Sequence, residues 1–484
     1  MTAVFRYFTL LIVIAASMAG CARRSSLKSS KLSINDFSCL NETEIYDIVA
    51  PACYEELSQA FQDARNRNLK ISIAGTRHSQ GGHAFYTHAR VIELKKLNKI
   101  LDFDATQKTI TVQTGATWAQ VQEYLNQYGH AVKIMQVANV FTVGGALSVN
   151  ANGIDPQCGP LIESVNSFKI MLADGSLVPV SRTENKQLFE LAIGGYGLFG
   201  AIVEVTLQVV ENSLYQRESQ HITLRDYAAF VKAMAADPAI GFHFGMVNFA
   251  FSSKKLFSDI TAVCYKKIDT AQFSKKKIAF FSRLRRDRPP LSYFRRLGLA
   301  ILRALPGARS WRVPLDESQD GDIRSRNFIM SPPVSQVYYK SAEETDLLQE
   351  YFIPLESFAE FMHHLETVTS LYNIRLLHVE LRYIPCNTEN MLSYVSKGNA
   401  IGIVLFFNHE ISAAACNDVK QWTRSLIDGA YKLGGNYYLP MQLHATAQQL
   451  QTLYPSVGRF FTLKKEYDSQ ELFTNYFHQK YENV

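Results

Sequence analysis

Ile73-Ala-Gly-Thr-Arg-His-Ser-Gln-Gly-Gly-His83 is the stretch that decides the fold. A hydrophobic run, Leu69 to Ala74, delivers the backbone into a turn carrying three glycines and a histidine. Glycines let amide groups approach a ligand closely, and successive N–H groups in such a turn form a nest for an anion. A second glycine turn follows at Thr142-Val143-Gly144-Gly145-Ala146-Leu147-Ser148. Two such loops suit a long diphosphate ligand better than a single phosphate; two ordinary glycine turns are the other reading. His78, beside the first loop, is a candidate covalent or acid–base partner.

Taken with Gly194-Gly-Tyr-Gly-Leu-Phe-Gly200, these loops resemble the FAD-binding domain of the vanillyl-alcohol-oxidase (PCMH) type. Within that type the pattern is similar to alditol oxidase and the aldonolactone oxidases, and to decaprenylphosphoryl-ribose oxidase. The resemblance covers residues 50–215, is thinner over 325–484 and is absent over 216–325. It implies an α+β fold: a PCMH-type FAD-binding domain of two α+β subdomains, plus a cap or substrate domain on an antiparallel sheet covered by helices. The implied organisation is a signal segment at 1–21, a tether at 22–40, the FAD-binding domain at 41–215 and the cap at 216–430. Residues 431–484 then return to the flavin site through Gly434-Gly-Asn-Tyr-Tyr-Leu-Pro440.

The local patterns agree with a mixed fold of short elements. Leu57, Ala60, Phe61 and Ala64 have helical spacing after Pro51. Thr109 to Thr114 alternates as a strand, and Trp118 to Tyr128 reads as a helix closing at Gly129. Ala173-Asp-Gly-Ser176 reads as a hairpin turn between Phe168–Leu172 and Leu177–Val180. Strand-like runs at 375–384 and 400–408 accompany helical patterns at 355–372 and 413–431.

The resemblance also assigns residues. FAD would be held by Ala74, Gly75, Thr76, Arg77, His78 and Ser79, by Thr142, Val143, Gly144, Gly145 and Ser148, and by Asn152, Gly153, Gly195, Gly197 and Gly200. His78 matches the histidine that bonds to the flavin 8α-methyl; His83 is the rival by position, and a non-covalent flavin is the alternative. Gly195-x-Gly197-x-x-Gly200 formally matches a dinucleotide fingerprint. That motif should open a helix, whereas here it runs into the β-rich Ala201–Val209, so no nicotinamide site follows.

Glu380 and Arg382 are the leading catalytic candidates. Residues two apart on a strand share a face, so one strand presents a carboxylate and a guanidinium together. A surface ion pair is the plain alternative; the resemblance implies a Glu-x-Arg that faces the flavin and handles the substrate hydroxyl. Two departures stand out. Met441 occupies the place of an active-site lysine, with His444 as a candidate substitute or a plain surface histidine. Asn152-Gly153 replaces a His-Gly pair.

The implied function is oxidation of a CH–OH group of a sugar, polyol or aldonolactone by hydride transfer to flavin N5, with O2 or a membrane acceptor downstream. One alternative is oxidation of a lipid-linked sugar within an epimerisation. Another is a degenerate flavin-binding envelope protein.

The 484 residues are 47% hydrophobic and 19% charged, which excludes global disorder. Net charge is 50 − 44 = +6, with no nucleic-acid-binding motif, so no nucleic-acid partner is expected. Arg6 precedes the apolar run Tyr7–Gly20, which ends in Ser17-Met-Ala-Gly-Cys21. This fits a secretory signal, and it resembles a lipobox with Cys21 lipidated, although Met18 stands where Leu is usual. The expected location is therefore the cell envelope, membrane-anchored on the periplasmic side. An uncleaved anchor with a cytoplasmic domain is the alternative, favoured by Arg23, Arg24, Lys28 and Lys31. Residues 275–312 carry twelve Lys or Arg against Asp287 alone, with aromatic and aliphatic residues interleaved. They read as a membrane-surface segment or as a solvated insert. No CxxC pair occurs among the seven cysteines, so no metal site is expected. Cys39 and Cys53 are close enough in sequence to form a disulfide or to remain two thiols.

Overall fold

The computed structural model describes residues 32–249, 256–271, 273–284, 318–332 and 341–484. The signal, the lipobox and residues 285–312 of the basic insert lie outside them. Among the described residues no helix is long and apolar enough to cross a membrane.

The chain enters the fold at β1 (Ser33–Ile34), which pairs antiparallel with β2 (Thr43–Glu44). The expected tether to residue 40 therefore ends earlier. Asp36 is the physical reason: its carboxylate accepts from Ser38 N at 3.0 Å and from Gly82 N at 2.9 Å, which pins residues 33–44 to the first glycine loop. Cys39 and Cys53 are both free thiols.

A small parallel sheet follows, in the order β3 (Asp47–Val49), β5 (Arg90–Glu93), β4 (Ile71–Ala74). The helix Tyr54–Asn66 packs beneath it with Leu57, Ala60, Phe61 and Ala64 buried. Buried Arg90 fixes that packing, reaching Asp47 at 2.8 Å and Asp63 at 2.7 Å.

Next comes an antiparallel sheet built from β6 (Ile100–Asp104), β7 (Thr109–Gln113), β8 (His130–Val132), β9 (Val165–Met171), β10 (Leu177–Ser181) and β11 (Ala201–Glu211). The order is β10-β9-β11-β7-β6, with β8 also pairing with β11. Gly175 turns the β9–β10 hairpin at φ +88°, where a side chain would be strained.

The cap is one long antiparallel sheet. Its strands are β12 (Leu214–Ile222), β13 (Ile240–Phe249), β14 (Phe257–Lys267), β15 (Ile323–Ser325), β16 (Glu344–Pro354), β17 (Leu376–Ile384), β18 (Ala400–Glu410) and β19 (Asn436–Tyr437). They run in the order β15-β12-β14-β13-β17-β18-β16-β19. Helices Phe358–Leu371 and Ala413–Lys432 cover one face, where Tyr351 meets Phe361 at 5.5 Å and Phe407 meets Trp422 at 4.9 Å. Strand alternation turns the intervening residues to the opposite face, toward the two glycine loops. Of the basic insert, Lys275–Phe281 is a short helix capped by Ser274, with Phe280 58% exposed.

Candidate active site

One large cavity runs from the glycine loops to the bare face of the cap sheet. Strand β4 ends at Ala74 and releases the chain into the first loop. Arg77 there takes a left-handed conformation, φ +57°, and pairs with Glu93 at 3.4 Å. Among the described residues the amides of Thr76, Arg77 and Ser79 donate to no protein acceptor, so they are free for an anion. A Cβ added at Gly75 would lie 2.1 Å from Thr142 Oγ1. The two loops touch at that point, and only glycine permits it.

The second loop is a short helix, Val143–Ser148, capped by Thr142. Its first amides are already used: Val143 N donates to Ala116 O and Gly144 N to Thr114 O, each at 2.8 Å, and Gly145 N to Thr142 Oγ1 at 3.3 Å. The amides of this loop are therefore not free for a ligand, in contrast to those of the first. The second supplies a close wall, since a Cβ at Gly144 would reach Thr114 at 3.0 Å.

Ala74 to Ser79, Thr142, Gly144, Gly145, Ser148, Asn152, Gly197 and Gly200 all line the cavity. Three of the expected cofactor contacts do not. Val143 is buried in the core, while Gly153 and Gly195 serve backbone packing: a Cβ there would meet Met135 O at 2.7 Å and Leu191 O at 2.2 Å. The His78 ring stacks on Phe37 at 5.1 Å and meets the edge of Phe141 at 4.5 Å. His83 also lines the cavity, wholly buried between Tyr196 and Phe477, and burial pushes its pKa down to about 3. Free amides, glycines where side chains would collide, and a long cleft together fit an extended diphosphate cofactor such as FAD.

At the far end the sheet register builds the polar group. Glu380 on β17 faces Val404 on β18, which faces Glu350 on β16. In the adjoining row Arg382 faces Gly402. Arg382 Nε donates to Glu380 Oε1 at 2.7 Å, and one of its Nη atoms donates to Asn152 Oδ1 at 3.3 Å. Asn152 Nδ2 in turn donates to Glu350 Oε1 at 3.3 Å. Burial works against charge on Arg382, but Glu380 and Glu350 outweigh it and hold the guanidinium protonated. Burial raises the Glu350 carboxyl above its ordinary range, with Arg382 and Asn152 pulling the other way. Glu380 and Arg382 are thus brought together inside the cavity, not on the surface.

His444 is not brought there. Met441 lines the cavity, but the chain then turns away, and Arg424 Nε holds the His444 carbonyl at 2.8 Å against the helix Ala413–Lys432. Burial first, then Lys480, His409, Lys420 and Arg424, pushes the His444 pKa down to about 3. The sequence reading missed Glu350, His378 and Tyr438, all cavity-lining. Glu350 leaves a trace in the sequence: a lone acid within Leu347-Leu-Gln-Glu-Tyr-Phe-Ile353, a strand otherwise fit for burial.

Residues 47–181 match an FAD binding domain family. Among curated proteins, the chain is 30% identical over 178 residues to L-galactono-1,4-lactone dehydrogenase 2, mitochondrial, of Oryza sativa subsp. japonica, covering 37% of this chain and 30% of that protein. It is 27% identical over 176 residues to L-gulonolactone oxidase of Bos taurus, covering 36% and 40%. It is 29% identical over 192 residues to an FAD-dependent monooxygenase of Arthrobotrys oligospora, covering 39% and 37%. The chain spans well under half the length of these relatives.

Proposed function

We propose, from the FAD binding domain that residues 47–181 carry, that this protein is an FAD-dependent oxidoreductase acting on a CH–OH group of a sugar, polyol or aldonolactone. The observation that carries this reading is the Glu380–Arg382 pair on the bare face of the cap sheet, within the cavity that the glycine loops begin. When bound, FAD supplies the two-electron acceptor for the carbinol carbon's hydride. Ala74 to Ser79 would hold its diphosphate, with Thr142, Gly144 and Gly145 as the facing wall. Glu380 takes the substrate hydroxyl proton, and Arg382 donates to the same oxygen as its charge develops. Asn152 fixes the guanidinium in place.

Glu380→Gln and Arg382→Ala are each expected to slow flavin reduction about 10²-fold or more, the range of a positioned acid–base group, with FAD still bound. If reduction by every active polyol or lactone were unchanged, the assignment would fall.

The proposal includes a covalent bond from His78, supported by its place in the cavity wall and by the family pattern. In wild type, flavin fluorescence should stay with the denatured polypeptide, and in His78→Ala it should be released. Release in both would leave FAD bound without the link. It also includes attachment to the envelope membrane through lipidated Cys21, supported by Ser17-Met-Ala-Gly-Cys21. Cys21→Ser should then move the protein from the membrane to the soluble fraction.

A further inference from the structure

Arg382 alone would make the cavity a natural anchor for a carboxylate, because guanidinium and carboxylate form paired charge-assisted hydrogen bonds. The structure closes that option. Glu380 takes Nε at 2.7 Å, and Glu350, at the other end of the row that Glu380 shares with Val404, is 5% exposed and joined to the guanidinium through Asn152. The register leaves room for it: a Cβ at Gly402 would come within 3.3 Å of Glu350 Oε1. Two carboxyl groups thus flank one cation.

We propose that Glu350 is a specificity-determining residue that contacts substrate, and that the cluster of Glu350, Arg382 and Glu380 selects uncharged polyhydroxylated substrates over their carboxylate counterparts. This rests on the reading given under Proposed function. A hydroxyl satisfies such a cluster in both directions, donating to a carboxylate oxygen and accepting from guanidinium N–H. A carboxylate can only accept, so it would face the oxygen lone pairs of two acids at close range. Asn152 comes from the loop after the second glycine turn. The FAD domain therefore holds the cap's acid in register.

The test is equilibrium binding to the oxidised holoprotein, read by calorimetry and independent of turnover. The probes are neutral pentitols, hexitols and aldonolactones beside the matching aldonates and uronates. Wild type is expected to bind the neutral members at least about tenfold more tightly, the scale of one charge-assisted hydrogen bond. Glu350→Ala should narrow that ratio by about tenfold. Glu350→Gln, nearly isosteric but offering an N–H donor in place of the acid, should narrow it as well; its circular dichroism and flavin content report whether the fold is intact. An unchanged ratio in Glu350→Ala, or a wild type that prefers carboxylates, would overturn the proposal. If neutral ligands bind with the expected ratio yet never reduce the flavin, the oxidoreductase reading fails and the selectivity stands.

Discussion

Glu350 carries a pH signature of its own. Its carboxyl pKa is raised on folding by burial, so the native state binds a proton more readily than the unfolded chain. Stability from this group is full below the ordinary value of 4.5 and is lost as pH rises from there through the raised value. Glu350→Gln should remove that loss, flattening the fall in melting temperature above the ordinary carboxylate range. The slope at stake is about 1.4 kcal/mol per pH unit at most. Equal slopes in variant and wild type would mean the carboxylate is charged in the native state. Glu380 and Arg382 were legible from spacing, because a strand's period fixes which residues share a face. Glu350 was not: its hydrogen-bond partner Asn152 lies on a distant loop, and only the register across three strands puts it in a row with Glu380. His444 misled for the opposite reason. It is near Met441 in sequence, but a side chain three residues on need not share its surroundings once a strand has ended.

Among the elements, the two glycine turns look alike in sequence and act differently. The first leaves amides free, whereas the second spends its amides on Ala116, Thr114 and its own cap. Sequence shows that a backbone can come close; it does not show whether a neighbouring carbonyl has already taken the N–H. Gly75→Ala tests the contact between them. Its Cβ would sit 2.1 Å from Thr142 Oγ1, and the short threonine side chain has little room to yield. Such overpacking costs about 1–3 kcal/mol, and the strain falls on the first glycine loop. The variant should lose most of its FAD while far-ultraviolet circular dichroism stays near wild type. Full FAD content at wild-type melting temperature would show that the loops separate freely. The segment 33–40 escaped recognition because its anchor, Asp36, bonds to Gly82 rather than to anything local.

For the whole molecule, buried imidazoles set the acid limit. His83 and His243 are completely enclosed, and burial lowers their pKa values to about 3 and about 4 from 6.5. The unfolded chain therefore binds protons that the native state refuses. Stability from these groups is complete above 6.5 and is lost as pH falls toward those values, by about 1.4 kcal/mol per pH unit for each imidazole. Melting temperature should drop steeply between pH 6 and 4, and His243→Phe should make the drop shallower. His243 bonds to Tyr227 and Val263, so that variant also loses stability at neutral pH; only the slope is diagnostic. The mixture of short strands and helices was readable from period and turn signals, and the antiparallel, helix-covered cap from the family resemblance. The joining of the layers was not, because it rests on contacts such as Asn152 with Glu350 that bring residues far apart in sequence together.

The outer edge of β4 is completed late. Ile71 N donates to Leu472 O at 2.7 Å, Thr474 N to Ile71 O at 2.9 Å, and Ser72 Oγ to Thr474 O at 2.6 Å. The strand that aims the first glycine loop thus takes its last partner from residues translated some four hundred positions after it. A nascent chain that has not reached residue 474 has the whole loop and an unfinished strand behind it. Flavin capture is accordingly expected only once residues 472–474 are available, and ribosome-stalled chains ending before Leu472 should emerge as apoprotein.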